Sequence, residues 1–304
     1  MNEFELINHV RSLNETLGSR VVLPPGDDLG GLGFGPGVVV LAGVDQVIGG
    51  VHLPVDASPE RYARKVICRS LSDVAAMAAL PAGALVTAAV PVGLSADWGP
   101  RFADALNRIA TQYDCPVFGG DVAAFANSAA PPLVTATVLA SPDDSMSGRF
   151  LTRSGAQPGD EIWVSGFLGG SLRSDGSGHH ETFEPRVGLA LAIHRLIGES
   201  LHSMIDLSDG LVSDVGHLAV ESGVKMTLES DSLPRRGAAT PAEALSDGED
   251  YELCFTVDPS VELPDCLDEI PLVRIGSVHS GAGVVILEDG VEVDFSSRGW
   301  EHRT

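Results

Sequence analysis

The sequence predicts an α/β protein of two domains, which span residues 1–140 and 149–304. Continuous apolar runs, typical of buried strands, alternate in both halves with segments whose apolar residues recur at helical spacing. Between the halves, residues 141–148 read Ser-Pro-Asp-Asp-Ser-Met-Ser-Gly, a composition typical of an interdomain linker. The length of 304 residues and the hydrophobic content of 44% are those of an ordinary globular protein with a proper core.

The first half begins with a glycine-rich segment and a strand. Prolines and glycines predict a loop over residues 24–37, and this loop carries Asp28. The apolar run 38–44 then predicts a buried strand with Asp45 at its end. His52 follows in a glycine-containing turn, where it could either bind a ligand or serve the local structure.

A long helix is expected next. Ser58, Pro59 and the acid after them are typical of a helix start, and the helix should run to about residue 79. Asp73 lies among apolar residues of this helix, which penalises an unpaired charge. Either a salt bridge to Arg69, four residues earlier, or a metal ion could satisfy it.

The rest of the first half alternates strands with one helix. A helix is expected at residues 95–113, and strands at 85–90, 116–118 and 133–140. The strand at 116–118 leads into Gly119-Gly120-Asp121, so another acid follows a buried strand.

The second half is organised around residues 204–214. An apolar strand ends near Asp206, Ser208-Asp209-Gly210 turns the chain, and a helix begins at Leu211, with Ser208 or Asp209 as the expected N-cap. Open α/β sheets bind their ligands at such strand ends. Two acids so close together repel each other unless a cation lies between them. Alternatively, Asp209 only caps the helix and Asp206 is a solvated strand end.

The other elements of the second half are less informative about function. Residues 171–184, which include His179 and His180, are expected to be flexible and solvated. Strands are expected at 161–165, 225–229, 251–257, 284–287 and 291–295, the last two as a hairpin, and a helix at 185–197.

Charge and composition exclude several classes of function. A net charge of −23 disfavours nucleic acid and anionic membranes as partners. Lys65 and Lys225 are the only lysines and no P-loop motif occurs, so carboxylate-held divalent metals would have to neutralise a polyphosphate. Four cysteines without a C-x-x-C pair, no recognisable signal peptide and no apolar run near the roughly 18 residues of a membrane span predict a cytoplasmic protein.

The candidate metal ligands are acids at strand ends, in glycine loops or within an apolar helix. Each alone could be a cap, a turn residue or a salt-bridge partner. Together, in a chain that is nearly free of lysine, they predict a site with several divalent metal ions for phosphate chemistry: Asp28, Asp45, Asp73, Asp121, Asp206 and Asp209.

Seven segments carry a resemblance to a known family. They are Gly26–Asp28, Asp45–His52, Leu71–Met77, Gly119–Asp121, Thr152–Gly155 with Pro158–Asp160, Ile205–Leu211 and Gly248–Leu253. In this order, and over nearly the full chain, the sequence resembles the thiamine-monophosphate kinases of the aminoimidazole-ribonucleotide-synthetase-like superfamily. The last segment is the most specific to the kinases.

The resemblance implies a fold, an activity and roles for individual residues. The implied fold has an N-terminal α/β domain that dimerises through its strands and a C-terminal α/β domain, with substrates in the cleft between them. The implied activity is ATP-dependent, Mg²⁺-assisted, direct in-line transfer of a phosphoryl group to thiamine monophosphate, without a catalytic side chain. The six acids above would bind Mg²⁺; Gly120, Asp121, Arg153 and Ser208 would contact ATP; His52, Glu249 and Trp300 would line the thiamine phosphate site.

Three residues depart from the pattern of this family, and alternative functions stay open. Gly43 and Val44 replace hydroxyl side chains of the family, and Ser70 replaces an asparagine. A non-catalytic nucleotide or thiamine-phosphate binding module is therefore one alternative. A sister ATP-dependent enzyme of the superfamily is another, although no cysteine precedes Cys68 and the chain has no cysteine tail.

Overall fold

The computed structural model describes residues 7, 9–14, 17–144, 147–173 and 175–293. From residue 21 onward, the first half contains six strands and two α-helices, in the order β1 (Val21–Leu23), β2 (Gly30–Gly35), β3 (Val38–Ile48), α1 (Pro59–Ala76), β4 (Leu80–Pro91), α2 (Trp98–Gln112), β5 (Val117–Phe125) and β6 (Leu133–Ser141).

The described second half contains eight strands and four helices. These are β7 (Glu161–Ser165), α3 (His179–Thr182), α4 (Val187–Ile197), β8 (Leu201–Asp206), α5 (Leu211–Ser222), β9 (Lys225–Glu229), α6 (Pro241–Ser246), β10 (Leu253–Val257), β11 (Cys266–Leu267), β12 (Ile270–His279), β13 (Gly283–Glu288) and β14 (Val291–Val293).

The strands form two sheets, which confirms the α/β class. The first has the order β1-β2-β3-β6-β4-β5, with β4 and β5 parallel. The second has the order β14-β13-β9-β12-β7-β10-β8, with β11 beside β12. Each sheet draws its strands from one half of the chain. The exact domain boundaries at residues 140 and 149 stay predictions.

Helix α1 joins the two halves. It contacts β3 and β6 of the first sheet, β8 of the second, and α4. Its apolar side chains enter a core that also contains Leu189 of α4 and Phe255 of β10. Pro59 starts the helix as predicted, but the helix ends at Ala76 rather than near residue 79. A helix buried on this scale can hold polar side chains in fixed positions between the sheets.

Two predictions about the first sheet are wrong. The glycine-rich segment expected to be a loop contains strand β2, which is paired with β1 and β3. Glycine is needed there for close packing, because a Cβ on Gly31 would lie 2.9 Å from Cβ of Leu23. Asp45 and Asp121 lie inside β3 and β5 rather than at strand ends, because both strands continue beyond their apolar runs.

The structure describes all four cysteines. Cys68, Cys115 and Cys254 are buried free thiols, and Cys266 is exposed. None of the helices in the described part of the chain combines the length and the apolar composition that a membrane-spanning helix needs.

Candidate active site

Three of the predicted acids meet between the two sheets. Asp28 follows β1, Asp73 lies in α1, and Asp206 ends β8. One carboxylate oxygen of each lies within 4.8 Å of the others. Residues separated by up to 178 positions in the chain therefore form one carboxylate group, which we call the acid cluster.

The acid cluster is electrostatically strained. Burial, together with the charges of Asp45, Asp206 and Asp28, raises the pKa of Asp73 well above its usual value. Burial and the charge of Asp28 raise the pKa of Asp206 to about 7, although Ser72 donates a hydrogen bond of 2.6 Å to it.

The donor set of the acid cluster fits a divalent cation. Oδ2 of Asp28 and Oδ2 of Asp45 are buried and have no hydrogen-bond donor within the described residues. Buried oxygens without donors are unusual, and carboxylate oxygens are the ligands that Mg²⁺ prefers. A divalent ion would satisfy these oxygens and relieve the repulsion between the acids.

Asp45 lies beside the acid cluster and is paired with a cation. Nε of Arg69 is 3.3 Å from its Oδ1, so Arg69 does not form the i,i+4 bridge to Asp73 that the sequence allowed. A Cβ on Gly43 would lie 3.6 Å from Oδ2 of Asp73 and would overlap Leu29, whereas Val44 is exposed. Position 43 therefore faces the acids, and Leu29 fills the space in which a side chain would lie.

Asp209 belongs to a second, neighbouring group. Its carboxylate, that of Asp214 and the ring of His217 each offer an atom within 4.8 Å of the others. The prediction that Ser208 or Asp209 caps helix α5 is wrong, because Gly210 is the N-cap and has a φ of 114°. Oδ2 of Asp214 instead accepts hydrogen bonds from the backbone N–H groups of Asp209 and Gly210, at 3.2 and 3.1 Å, and so fixes the turn.

Asp121 does not join the acid cluster in the single chain. Across β3, β6, β4 and β5 the register places Asp121 three strands from Gln46, which is about 14 Å at about 4.8 Å per strand. Asp121 and Gly120 instead line a pocket of about 600 Å³ between β5 and α2, which also contains Trp98 and Phe102.

Arg153 and Ser208 do lie at the cluster. Nη2 of Arg153 is 2.6 Å from Oδ1 of Asp28, and its backbone N–H donates to Asp27 at 3.1 Å. Burial and the charge of Asp28 raise the pKa of Asp27 to about 6. The carbonyl of Ser208 accepts the N–H of Glu249 at 2.7 Å. The segment around Glu249 is thereby tied to the turn that follows Asp206.

The structure describes two of the three residues predicted to line the thiamine phosphate site, Glu249 and His52. Glu249 and Tyr251 have φ values of 64° and 51°, a strained conformation that is concentrated at functional sites. Nδ1 of His52 accepts the N–H of Ile48 at 3.0 Å, which is a structural role for one ring nitrogen. Trp300 lies outside the described residues.

Sequence reasoning missed Lys65 and His180. The segment predicted to be flexible is held to α1, since Arg61 pairs with Glu181, and His180 is buried rather than solvated. Nζ of Lys65 lies 2.7 Å from Nδ1 of His180 and 2.8 Å from Oε2 of Glu249. The sequence does contain an indication for Lys65, because this residue stands four residues before Arg69 and eight before Asp73, on one face of a helix.

The raised carboxyl pKa values give a testable pH dependence. Asp27 and Asp206 hold protons in the folded protein that the unfolded chain has lost, so their ionisation lowers the free energy of unfolding as the pH rises from about 4 to about 7. Mg²⁺ competes with these protons. The rise in melting temperature caused by Mg²⁺ should therefore be larger at pH 7.5 than at pH 5, as measured by calorimetry. A Mg²⁺ effect that is equal at both pH values would contradict the assignment.

Several known proteins are similar to this chain. The family model "AIR synthase related protein, N-terminal domain" matches residues 26–141. The thiamine-monophosphate kinase of Salmonella typhimurium is 31% identical, over 99% of this chain and 98% of that protein. That of Aquifex aeolicus is 32% identical, over the same shares. The solved structure of AaThiL complexed with AMPPCP and TMP is 28% identical, with a TM-score of 0.80 over 99% of this chain and 97% of that one. The chain therefore belongs to the thiamine-monophosphate kinase family.

Proposed function

We propose that the protein transfers the γ-phosphoryl group of ATP directly to the phosphate of thiamine monophosphate, which gives thiamine diphosphate. The observation that carries this proposal is the acid cluster, in which buried carboxylates from both halves meet beside Arg153. Family membership and the complex of AaThiL with AMPPCP and TMP support the choice of substrates. The cytoplasmic location predicted from the sequence is part of the same proposal.

The chemistry requires little from side chains other than charge and position. The attacking phosphate has a second pKa of about 6 and is largely ionised at neutral pH, so no general base is required. The difficulty is the repulsion between two anions and the charge on the transferred group. Asp28, Asp73 and Asp206, with Asp45 beside them, would hold Mg²⁺, which would supply the neutralising positive charge. Arg153 can add a planar pair of donors to phosphate oxygens.

The pocket between β5 and α2 supports a place for the base of the nucleotide. Its lining is mostly apolar and aromatic, which suits a base, and Gly120 and Asp121 form one edge of it. A Cβ on Gly120 would overlap the carbonyl of Val86, so only glycine lets β5 lie so close to β4. Arg153, Ser208 and Asp209, which the resemblance assigns to ATP and its Mg²⁺, belong to the second half and do not line this pocket.

The other substrate carries a thiazolium cation. Glu249 is a suitable neighbour because it is ionised: although burial opposes it, the charge and the hydrogen bond of Lys65 lower its pKa. Trp300 could contribute a cation–π contact of about 0.5–2 kcal/mol, and His52 a hydrogen bond. These three assignments rest on the resemblance.

The direct test is ADP release with and without thiamine monophosphate, together with detection of thiamine diphosphate. We expect ADP release that depends on thiamine monophosphate and matches the diphosphate formed. ADP release without it would favour a sister ATP-dependent enzyme. Binding of both ligands without turnover would favour the non-catalytic module, for which Gly43 is the supporting observation.

We also propose a homodimer through the strands of the first sheet. Val44 of β3 and Phe118 and Val122 of β5 are exposed apolar side chains, and Val122 is 74% exposed. Patches of this kind on a sheet are typical of interfaces.

Light scattering of Val122→Asp tests the dimer. We expect the wild type to be dimeric and this variant to be monomeric. The control is Val220→Asp on α5, a valine that is 71% exposed and distant from these strands in the fold, which should remain dimeric. A monomeric wild type would refute the dimer without affecting the proposed reaction.

A further inference from the structure

Helix α1 presents a row of polar side chains along the whole candidate site. Lys65, Arg69, Ser72 and Asp73 lie at intervals of four, three and one residues, which places them on one face. Arg69 contacts Asp45, Ser72 contacts Asp206, and Asp73 belongs to the acid cluster. The row begins at Lys65, about 12 Å from Asp73 at about 1.5 Å per residue.

The ammonium group of Lys65 is completely buried, and each of its three N–H donors has an acceptor. Its side chain is 0% exposed. Nζ donates to Oε2 of Glu249 at 2.8 Å, to Nδ1 of His180 at 2.7 Å and to the carbonyl of His180 at 3.2 Å. A lysine has three N–H donors, so these contacts fix the position of the group.

His180 has one tautomer that suits these contacts. Its Nε2 lies 3.2 Å from the carbonyl of Gly176, to which a proton on Nε2 is donated. Nδ1 then carries no proton and accepts from Lys65. Lys65 is thereby bonded at once to the segment around His180 and to the segment around Glu249.

The same contacts orient Glu249. Oε2 is occupied by Lys65 and lies 3.0 Å from Nδ1 of His180. Oε1 has no such contact within the described residues, and the side chain as a whole is 23% exposed. The backbone of Glu249 is also fixed, by its N–H bond of 2.7 Å to Ser208. One oxygen is thus anchored, and the other makes no such contact within the described residues.

We propose that Lys65 is a positioning residue for substrate recognition, which anchors Oε2 of Glu249 so that Oε1 is presented to thiamine monophosphate. The proposal rests on the proposed function, since it assumes that Glu249 lines the thiamine phosphate site. It assigns Lys65 and His180 no contact with the reacting phosphates. Loss of Lys65 should therefore weaken binding of one substrate and leave the chemical step largely unchanged.

The test is steady-state kinetics of Lys65→Met, with both substrates varied. We expect the KM for thiamine monophosphate to rise about tenfold or more, while kcat and the KM for ATP change less than about threefold. The matched control is Lys225→Met, at the only other lysine, which lies on β9 in the outer part of the second sheet and should leave all three constants unchanged. An unchanged KM for thiamine monophosphate in Lys65→Met would overturn the proposal.

A double-mutant cycle separates positioning from a general loss of structure. If Lys65 acts through Glu249, Lys65→Met should change the KM by less than about twofold when it is made in Glu249→Gln. Additive effects of the two substitutions would overturn the proposal. The double variant has no unpaired buried charge at this place, so it should fold even where Lys65→Met alone does not.

A second variant keeps the test independent of the lysine. His180→Asn removes the ring acceptor but leaves both charges in place, and should raise the same KM by a smaller factor. An unchanged KM in this variant would also count against the proposal. A wild-type protein whose ADP release does not depend on thiamine monophosphate would instead refute the proposed function, and this outcome is distinguishable from all of those above.

Discussion

Asp206→Asn is expected to lower kcat by about 100-fold or more at saturating Mg²⁺, and Asp45→Asn to lose most turnover as well. The amide keeps the shape of the carboxylate but removes its charge and one strong metal ligand. Because Asp206 is buried and repelled by Asp28 in the free protein, the Mg²⁺-free variant should unfold at the same temperature as the wild type or higher. Turnover and thermal unfolding are measured on the same preparation.

The control for this prediction is Asp104→Asn, which changes an exposed acid of α2 outside the acid cluster. It should leave both turnover and unfolding unchanged. If Asp206→Asn keeps wild-type turnover at saturating Mg²⁺, the assignment of the acid cluster to metal binding is wrong. If its activity is lost together with its fold, the substitution has tested stability rather than catalysis.

Arg186→Met is expected to cause the largest loss of stability, about 3–5 kcal/mol in the free energy of unfolding. Nε and Nη2 of Arg186 donate to the two oxygens of Glu252 at 2.7 and 2.5 Å. The side chain of Glu252 is 1% exposed, and Ser165 donates a further hydrogen bond to it. Removal of the guanidinium leaves a buried carboxylate without its cation. Denaturant unfolding followed by circular dichroism measures the change.

An exposed ion pair provides the control. Arg101 on α2 pairs with Glu60, and the two side chains are 48% and 37% exposed. Arg101→Met should not change the unfolding free energy measurably, because exposed pairs contribute little. Equal changes in the unfolding free energy for the two arginine substitutions would show that the buried pair contributes no more to stability than the exposed pair. Replacement of both Arg186 and Glu252 by methionine should recover part of the loss.

The sequence allowed prediction wherever the relevant contacts are local. The start of helix α1 at Pro59 follows from its proline and flanking residues, and the end of β8 at Asp206 follows from the apolar run before it. The hairpin of β13 and β14 follows from Glu288-Asp289-Gly290. Convergence of the acids was an inference from their shared setting, and the structure brings Asp28, Asp73 and Asp206 together.

Predictions failed where the deciding partner is distant in the chain. Residues around His180 look flexible by composition, yet Arg61 and Lys65, more than 100 positions away, hold them in place. Asp45 and Asp121 do not lie at the strand ends that their apolar runs predict. Strand length also depends on pairing with neighbouring strands, which extends β3 and β5 past these residues. Local composition contains no information about either kind of partner.

The central claim is that the acid cluster holds the divalent ions used in phosphoryl transfer. The most direct measurement is anomalous scattering from crystals grown with Mn²⁺ and a non-hydrolysable ATP analogue. We expect peaks at about 2.0–2.2 Å from carboxylate oxygens of Asp28, Asp73 and Asp206. Bound nucleotide without a peak at these three residues would contradict metal binding by the acid cluster.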